Sequence, residues 1–255
     1  MDAKRIVVKV GSSTLTGDAG TSLNGSAVTK LVDVVAILKG QGKEVIIVTS
    51  AAIAAGMAPL GLTQRPTDLA TQQASASVGQ GLLIAKYSAE FTRHNIVASQ
   101  VLVTGDDLAR DLHKENAKRT LLRLLELGVV PIINENDSVG TEEIRLGDND
   151  RLAALVLQLI GADLLVLVSD IDALYDAPPT QAGANRIAKV TNFADLADIE
   201  IGGVGSSGVG SGGMVTKIQA AEIATSSGAR MLLTDLAHVE DALAGKDVGT
   251  LFTSN

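Results

Sequence analysis

The chain has 255 residues, 46% hydrophobic but only 2% aromatic, with a formal net charge of -8 and no cysteine. The absence of cysteine excludes disulfides, thiolate metal sites and a thiol nucleophile, and the acidity argues against a nucleic-acid partner. No apolar run approaches the length of a membrane span and the first residues lack the apolar core of a signal peptide, so a soluble cytoplasmic protein is expected, with no membrane partner.

In chain order, RIVVKV (5–10) reads as a buried strand ending at Gly11. Residues 26–40 show helical periodicity. EVIIVTS (44–50) is a second buried strand, followed by Ala-rich helical sequence, and Pro66 opens a long helix to about Arg93. IVASQVLVT (96–104) reads as a strand, 113–127 as a helix, VVPII (129–133) as a strand, 150–160 as a helix and DLLVLVS (163–169) as a strand. After Asp176 the pattern weakens into a loop-rich stretch, 177–213. A helix from Met214 to about Ser227, the strand MLLTD and a helix at 238–244 close the chain. Near-continuous apolar strands alternating with helices imply a three-layer αβα sandwich with a largely parallel central sheet. We expect a single domain over 1–255 with two lobes, about 1–165 for substrate and about 166–255 for nucleotide. In such sheets the ligand lies beyond the carboxyl ends of the strands.

Several polar clusters fall where strands end. Lys9, inside KVGSS, is costly to bury unless it meets an anion; an edge-strand lysine reaching to water is the alternative. Gly11 and Ser12 follow, where open backbone N–H groups can cradle phosphate. Ser50 is placed as the N-cap of a helix leaving a strand. The loop NENDSVGTEEIRLGDND (134–150) carries Asn and Asp in two groups, a set able to bind an amino group and hydroxyls or to coordinate Mg2+; without nearby His or Cys, zinc is disfavoured. SDIDALYD (169–176) is a further polar burst, readable as a ribose or cation site or as turn-forming aspartates.

The stretch GGVGSSGVGSGGMVTK (202–217) contains overlapping G-x-G-x-x-G matches, but no convincing strand precedes them and no acidic residue follows at dinucleotide-site spacing. It is not a Walker A loop, since Thr216 precedes Lys217. It does run directly into a helix with Lys217 in its first turn. A lysine there opposes the helix dipole unless an anion shares the place.

The set VVKVGSS, TS-x-AIAAG (49–56), QQAxAxVGQ (72–80), NENDSV, GDND (147–150), SDxxxLY (169–175), GxGTGGMxTK with Ser211 in place of Thr, and VGTLF (248–252) resembles the amino-acid kinase family across nearly the whole chain. NEND with GDND resembles the branch acting on glutamate rather than those acting on N-acetylglutamate, aspartate, carbamate or UMP. The resemblance implies transfer of a phosphoryl group from ATP, with Mg2+, to the side-chain carboxylate of L-glutamate, opening proline biosynthesis, with proline as inhibitor. It implies catalytic roles for Lys9, Lys217 and Asp150, and glutamate binding by Ser50, Asp137 and Asn149 with Asn134 and Asp148 close by. For the nucleotide it implies Lys9, Gly11, Ser12, Ser169, Asp170 and the run Ser211, Gly212, Gly213, Met214, Val215, Thr216, Lys217. It names no direct protein ligand of the metal. A homo-oligomer, dimer or tetramer, and a short form without a C-terminal PUA domain are also expected. Three positions depart from the family: Ala51 and Ala173 stand where glycine is usual, and Pro178 where aspartate is usual.

Overall fold

The computed structural model describes residues 2–17, 20–140, 149–196 and 213–254. The first half runs β1 (Arg5–Val10), α1 (Ser12–Leu15), α2 (Gly25–Gly40), β2 (Glu44–Val48), α3 (Ala52–Met57), α4 (Leu69–Thr92), β3 (Ala98–Val103), α5 (Gly105–Ala109), α6 (Asp111–Glu126) and β4 (Val130–Glu135). It continues with α7 (Asn149–Ile160), β5 (Leu164–Ser169), the short strands β6 (Leu174–Tyr175), β7 (Arg186–Ile187) and β8 (Lys189–Val190), a 3-10 turn at Phe193–Leu196, α8 (Met214–Ser226), β9 (Arg230–Asp235), α9 (Val239–Leu243) and β10 (Thr250–Phe252).

Among the described residues one sheet runs β3-β4-β2-β1-β5-β9-β10-β8. Every pairing in it is parallel except β9 with β10. β6 and β7 form a separate antiparallel pair. The long strands β1, β2 and β5 are buried on both faces, as their largely apolar sequences require. Their side chains alternate between two cores. Ile6, Val8, Val10, Val45, Ile47, Val166 and Val168 pack with α2, α3, α4 and α9. Val7, Ile46, Val48, Leu165 and Leu167 pack with α6, α7 and α8. The three-layer expectation therefore holds.

β1 lies between β2 and β5, where the strand order reverses. Ligand sites in open parallel sheets form at such reversals, beyond the carboxyl strand ends. On β1, Lys9 shares the face of Val7, since side chains alternate with period two. That face is covered by α7 and α8.

Element boundaries shifted for local reasons. The long helix begins at Leu69, not at Pro66, because the Asp68 side chain caps Thr71 N at 2.8 Å. A Thr104/Asp107 capping box creates α5 ahead of α6, an element absent from the sequence reading. β2 stops at Val48 and β4 extends to Glu135, so Thr49, Ser50 and Asn134 gather at the ligand end of the sheet.

α3 crosses α4 at backbone contact. A Cβ at Gly56 would meet Ser75 O at 1.9 Å, and one at Gly79 would meet Ala52 O at 1.8 Å. Only glycine permits that approach, which seats α4 against the turn that follows β2.

Candidate active site

Three charged side chains meet at the strand-order reversal. Lys9 comes from β1, Asp150 from the first turn of α7 and Lys217 from the first turn of α8. Lys9 Nζ lies 2.5 Å from Asp150 Oδ1, and Lys217 Nζ lies 3.1 Å from Asp150 Oδ2. The Thr216 hydroxyl adds a 3.2 Å contact to Oδ2. Asp150 is 1% exposed and the lysines 5% and 6%. Burial pushes the Asp150 carboxyl toward protonation, but the two ammonium groups outweigh it and hold its pKa well below the usual carboxylate range. Two buried cations thus share the Asp150 carboxylate. Buried charge of that kind calls for an anionic ligand. Asp150 also benefits from its place at a helix N-terminus.

Beside the triad stands a cluster of amides. The Asn149 Nδ2 group donates to Thr49 O at 2.6 Å, Asn134 Oδ1 at 2.9 Å and Ser50 Oγ at 3.0 Å. Asn149 precedes Asp150 in α7, so one helix start holds both groups together.

Ser50 does not cap α3 as expected from sequence. The N-cap is Ala51, in the left-handed conformation at φ 77°, ψ 12°. That residue turns the chain off β2, moves the helix start to Ala52 and leaves the Ser50 hydroxyl for Asn149. The left-handed region costs an L-residue roughly 1–2 kcal/mol, and glycine almost nothing. This accounts for glycine being usual at the position. Ala173 is buried but has no positive φ, so the same strain does not arise there. The structure offers no account of Pro178. Ala51→Gly is expected to hold or raise the melting temperature, while Ala51→Val, β-branched where φ is positive, lowers it by several degrees. Three identical thermal melts would contradict the left-handed assignment.

Asp137 lines a pocket of about 270 Å3 with Gln80, Gln100, Asn136 and Ser138. Ser169 donates to Asp170 Oδ1 at 3.0 Å, and both border an open groove of about 420 Å3 with Ser13, Thr14 and Asp235. Gly11 and Ser12 sit at the N-terminus of α1, and a Cβ on Gly11 would come within 3.6 Å of Lys9 Nζ. Gly213 caps α8, where Met214, Val215 and Thr216 precede Lys217. Asp148, Ser211, Gly212 and most of the glycine stretch lie outside the described residues. Sequence reasoning missed Gln80, which accepts from Asn134 Nδ2 at 2.8 Å, and Thr49, whose carbonyl meets Asn149. A signal was present for the first: Gln73, Gln80 and Tyr87 repeat every seven residues on one helix.

Residues 4–235 match the amino acid kinase family, and the chain belongs to that family. Within it, the chain is 57% identical over 251 residues to glutamate 5-kinase of Streptomyces coelicolor, covering 98% of this chain and 67% of that protein. It is 54% identical over 250 residues to glutamate 5-kinase of Clavibacter michiganensis subsp. michiganensis, covering 98% of this chain and 94% of that protein. A solved structure described as carbamate kinase from Giardia lamblia bound to AMP-PNP superposes with a TM-score of 0.70 at 16% identity, covering 99% of both chains, and supports the fold. Among the described residues, no helix is long and apolar enough to cross a membrane.

Proposed function

We propose that the chain transfers the γ-phosphoryl group of ATP to the side-chain carboxylate of L-glutamate, giving L-glutamyl 5-phosphate and ADP at the start of proline biosynthesis. The observation that carries this reading is the buried Lys9–Asp150–Lys217 triad next to the Ser50–Asn134–Asn149 cluster. The names of the relatives support the choice of glutamate.

The chemistry suits these residues. A glutamate carboxylate oxygen attacks the γ-phosphorus while the bond to the β,γ-bridging oxygen breaks. The nucleophile is already ionised at neutral pH, so no general base is needed, and no covalent enzyme intermediate forms. Asp150 is no base, because both its oxygens are engaged by cations and its pKa is depressed. Its part is to hold the two ammonium groups in place. Lys9 and Lys217 flank the transferring group and stabilise the charge spread over its oxygens. Asn149, Asn134, Ser50, Asp137 and Asp148 hold glutamate. Gly11, Ser12, Ser169, Asp170 and the segment 211–217 hold the nucleotide. Two lobes, about 1–165 and 166–255, divide these tasks.

Two ammonium groups fit a phosphoryl group, and both Asp150 oxygens already meet lysine. Mg2+ would be held by the ATP phosphates, where it would neutralise their charge.

Proline, which shares the α-amino-acid part of glutamate, competes at the 134–150 side of the site. The testing experiment is an ADP-release assay across acidic amino acids with Mg2+, with and without proline. Release that depends on L-glutamate, with a glutamate curve displaced rightward by proline, is expected. Equal release with and without glutamate would sink the assignment, and a curve unmoved by millimolar proline would remove the inhibition.

The chain also assembles as a homo-oligomer in this reading. Val78 and Leu82 are exposed on α4 beside exposed Leu102 on the edge strand β3, and residues 69–85 of the helix carry no charge. Light scattering is expected to give at least twice the 26.2 kDa chain mass, and a monomer at all concentrations would refute it.

A further inference from the structure

The face of α4 turned toward the site carries three hydrogen-bonding side chains in heptad spacing. Seven residues make close to two helical turns, so Gln73, Gln80 and Tyr87 lie on one face. Each reaches a different segment at the ligand end of the sheet. Gln73 Nε2 donates to Gly140 O at 2.9 Å, in the turn beyond Asp137. Gln80 Oε1 accepts from Asn134 Nδ2 at 2.8 Å, at the end of β4. The Tyr87 hydroxyl, fully buried, pairs with the Thr49 hydroxyl at 3.0 Å, just past β2. Hydrophobic packing alone needs none of these polar groups. The glycine crossing of α3 and α4 fixes the height of the helix against the sheet.

Among these anchors Gln80 bears on polarity. An asparagine amide has two orientations of nearly equal shape, one the reverse of the other in hydrogen-bonding sense. Asn134 turns Nδ2 to Gln80 on α4 and presents Oδ1 to Asn149 Nδ2 and to the backbone N–H of Glu135, at 2.9 Å each; that N–H, which can only donate, fixes the sense of the amide. Asn149 in turn gives its N–H groups to protein acceptors. Its Oδ1 is left as an acceptor, suited to the ammonium group of an amino acid. If the Asn134–Asn149 pair reversed, it would present N–H groups there and repel that ammonium.

We infer that Gln80 is a positioning residue for the amino-acid site: its carbonyl oxygen anchors the free N–H of the Asn134 amide, whose sense Glu135 N fixes, and so holds Asn134 and its partner Asn149 in place. This rests on the proposed glutamate reaction. Gln80→Met keeps the shape and removes the acceptor; Gln80→Glu keeps the shape and an acceptor oxygen. Gln80→Met is expected to raise KM for glutamate about tenfold, the equivalent of one lost hydrogen bond, with KM for ATP unchanged. Gln80→Glu is expected to stay within about threefold of the parent. The inference is overturned if Gln80→Met leaves KM for glutamate unchanged, raises both KM values alike, or is matched by Gln80→Glu. Side-chain amide NMR of Asn134 and Asn149 provides a readout independent of turnover. Their resonances should move in Gln80→Met and stay near the parent positions in Gln80→Glu; unmoved resonances in Gln80→Met overturn the inference. A parent protein that does not turn over glutamate refutes the proposed reaction instead, while the NMR comparison still decides the role of Gln80.

Discussion

Lys217→Met and Lys9→Met are each expected to lower kcat by about 10²–10³-fold, equivalent to roughly 3–4 kcal/mol of lost transition-state stabilisation. Each lysine is nearly buried and held on Asp150, so it is placed before substrate arrives. In the proposed reaction the charge on the transferring phosphoryl group spreads over its oxygens, and the two preplaced cations would meet it without reorganising. Folding stability should behave differently. Removing one lysine leaves the Asp150 carboxylate an ammonium partner in the other. The melting temperature of either variant is therefore expected to stay within a few degrees of the parent's. Steady-state kinetics and a thermal melt on the same preparations test both halves. Full activity in either variant would remove that lysine from the mechanism; low activity with a collapsed melting temperature would mean that the loss is one of folding.

Asp150→Ala is expected to have the largest effect on the fold. It strands two ammonium groups in a site almost closed to water. Removing one partner of a buried ion pair typically costs about 3–5 kcal/mol. For a chain of this size that corresponds to a fall in Tm of roughly 6–20 °C. Phosphate or ATP should restore part of the loss, since an anion replaces the missing carboxylate between the lysines. An unchanged Tm would mean that the lysines find other partners.

The same carboxylate gives a pH dependence of defined sign. Its pKa in the folded chain is depressed by the two lysines against the opposing effect of burial. Its contribution is therefore fully present above the ordinary aspartate value of about 3.9, and is lost as pH falls from there through the folded pKa. Glu90 acts in the same direction, drawn down to about 2 by hydrogen bonds from Lys86 and Arg93. Asp150→Asn should thus show a flatter acid limb than the parent in denaturation measured below about pH 4.

Much of the architecture was legible in the chain itself. Apolar runs such as VIIV in β2 and LLVLV in β5 have no polar face, which points to interior strands of a parallel sheet covered on both sides. Lys9, Asn134, Asn149, Asp150 and Lys217 stood out because each is a polar residue adjoining a run bound for burial, where charge and amide groups are costly unless paired. The period-two alternation of β1 even decides which layer Lys9 faces.

Other features depended on tertiary contact. That Asp150 is shared by two lysines follows from where α7 and α8 begin, and residues 141 positions apart on β1 and α7 carry no local sign of meeting. The left-handed turn at Ala51 is a backbone state that alanine disfavours, so its residue type points away from it and Ser50 reads as a helix cap. Gln80 looks like one more polar residue on a long helix until packing turns its face to Asn134. Local sequence encodes which segments must be buried and which groups will need partners. Which partners they find depends on how the layers are stacked, because hydrogen bonds and ion pairs act over a few ångströms in space regardless of separation along the chain.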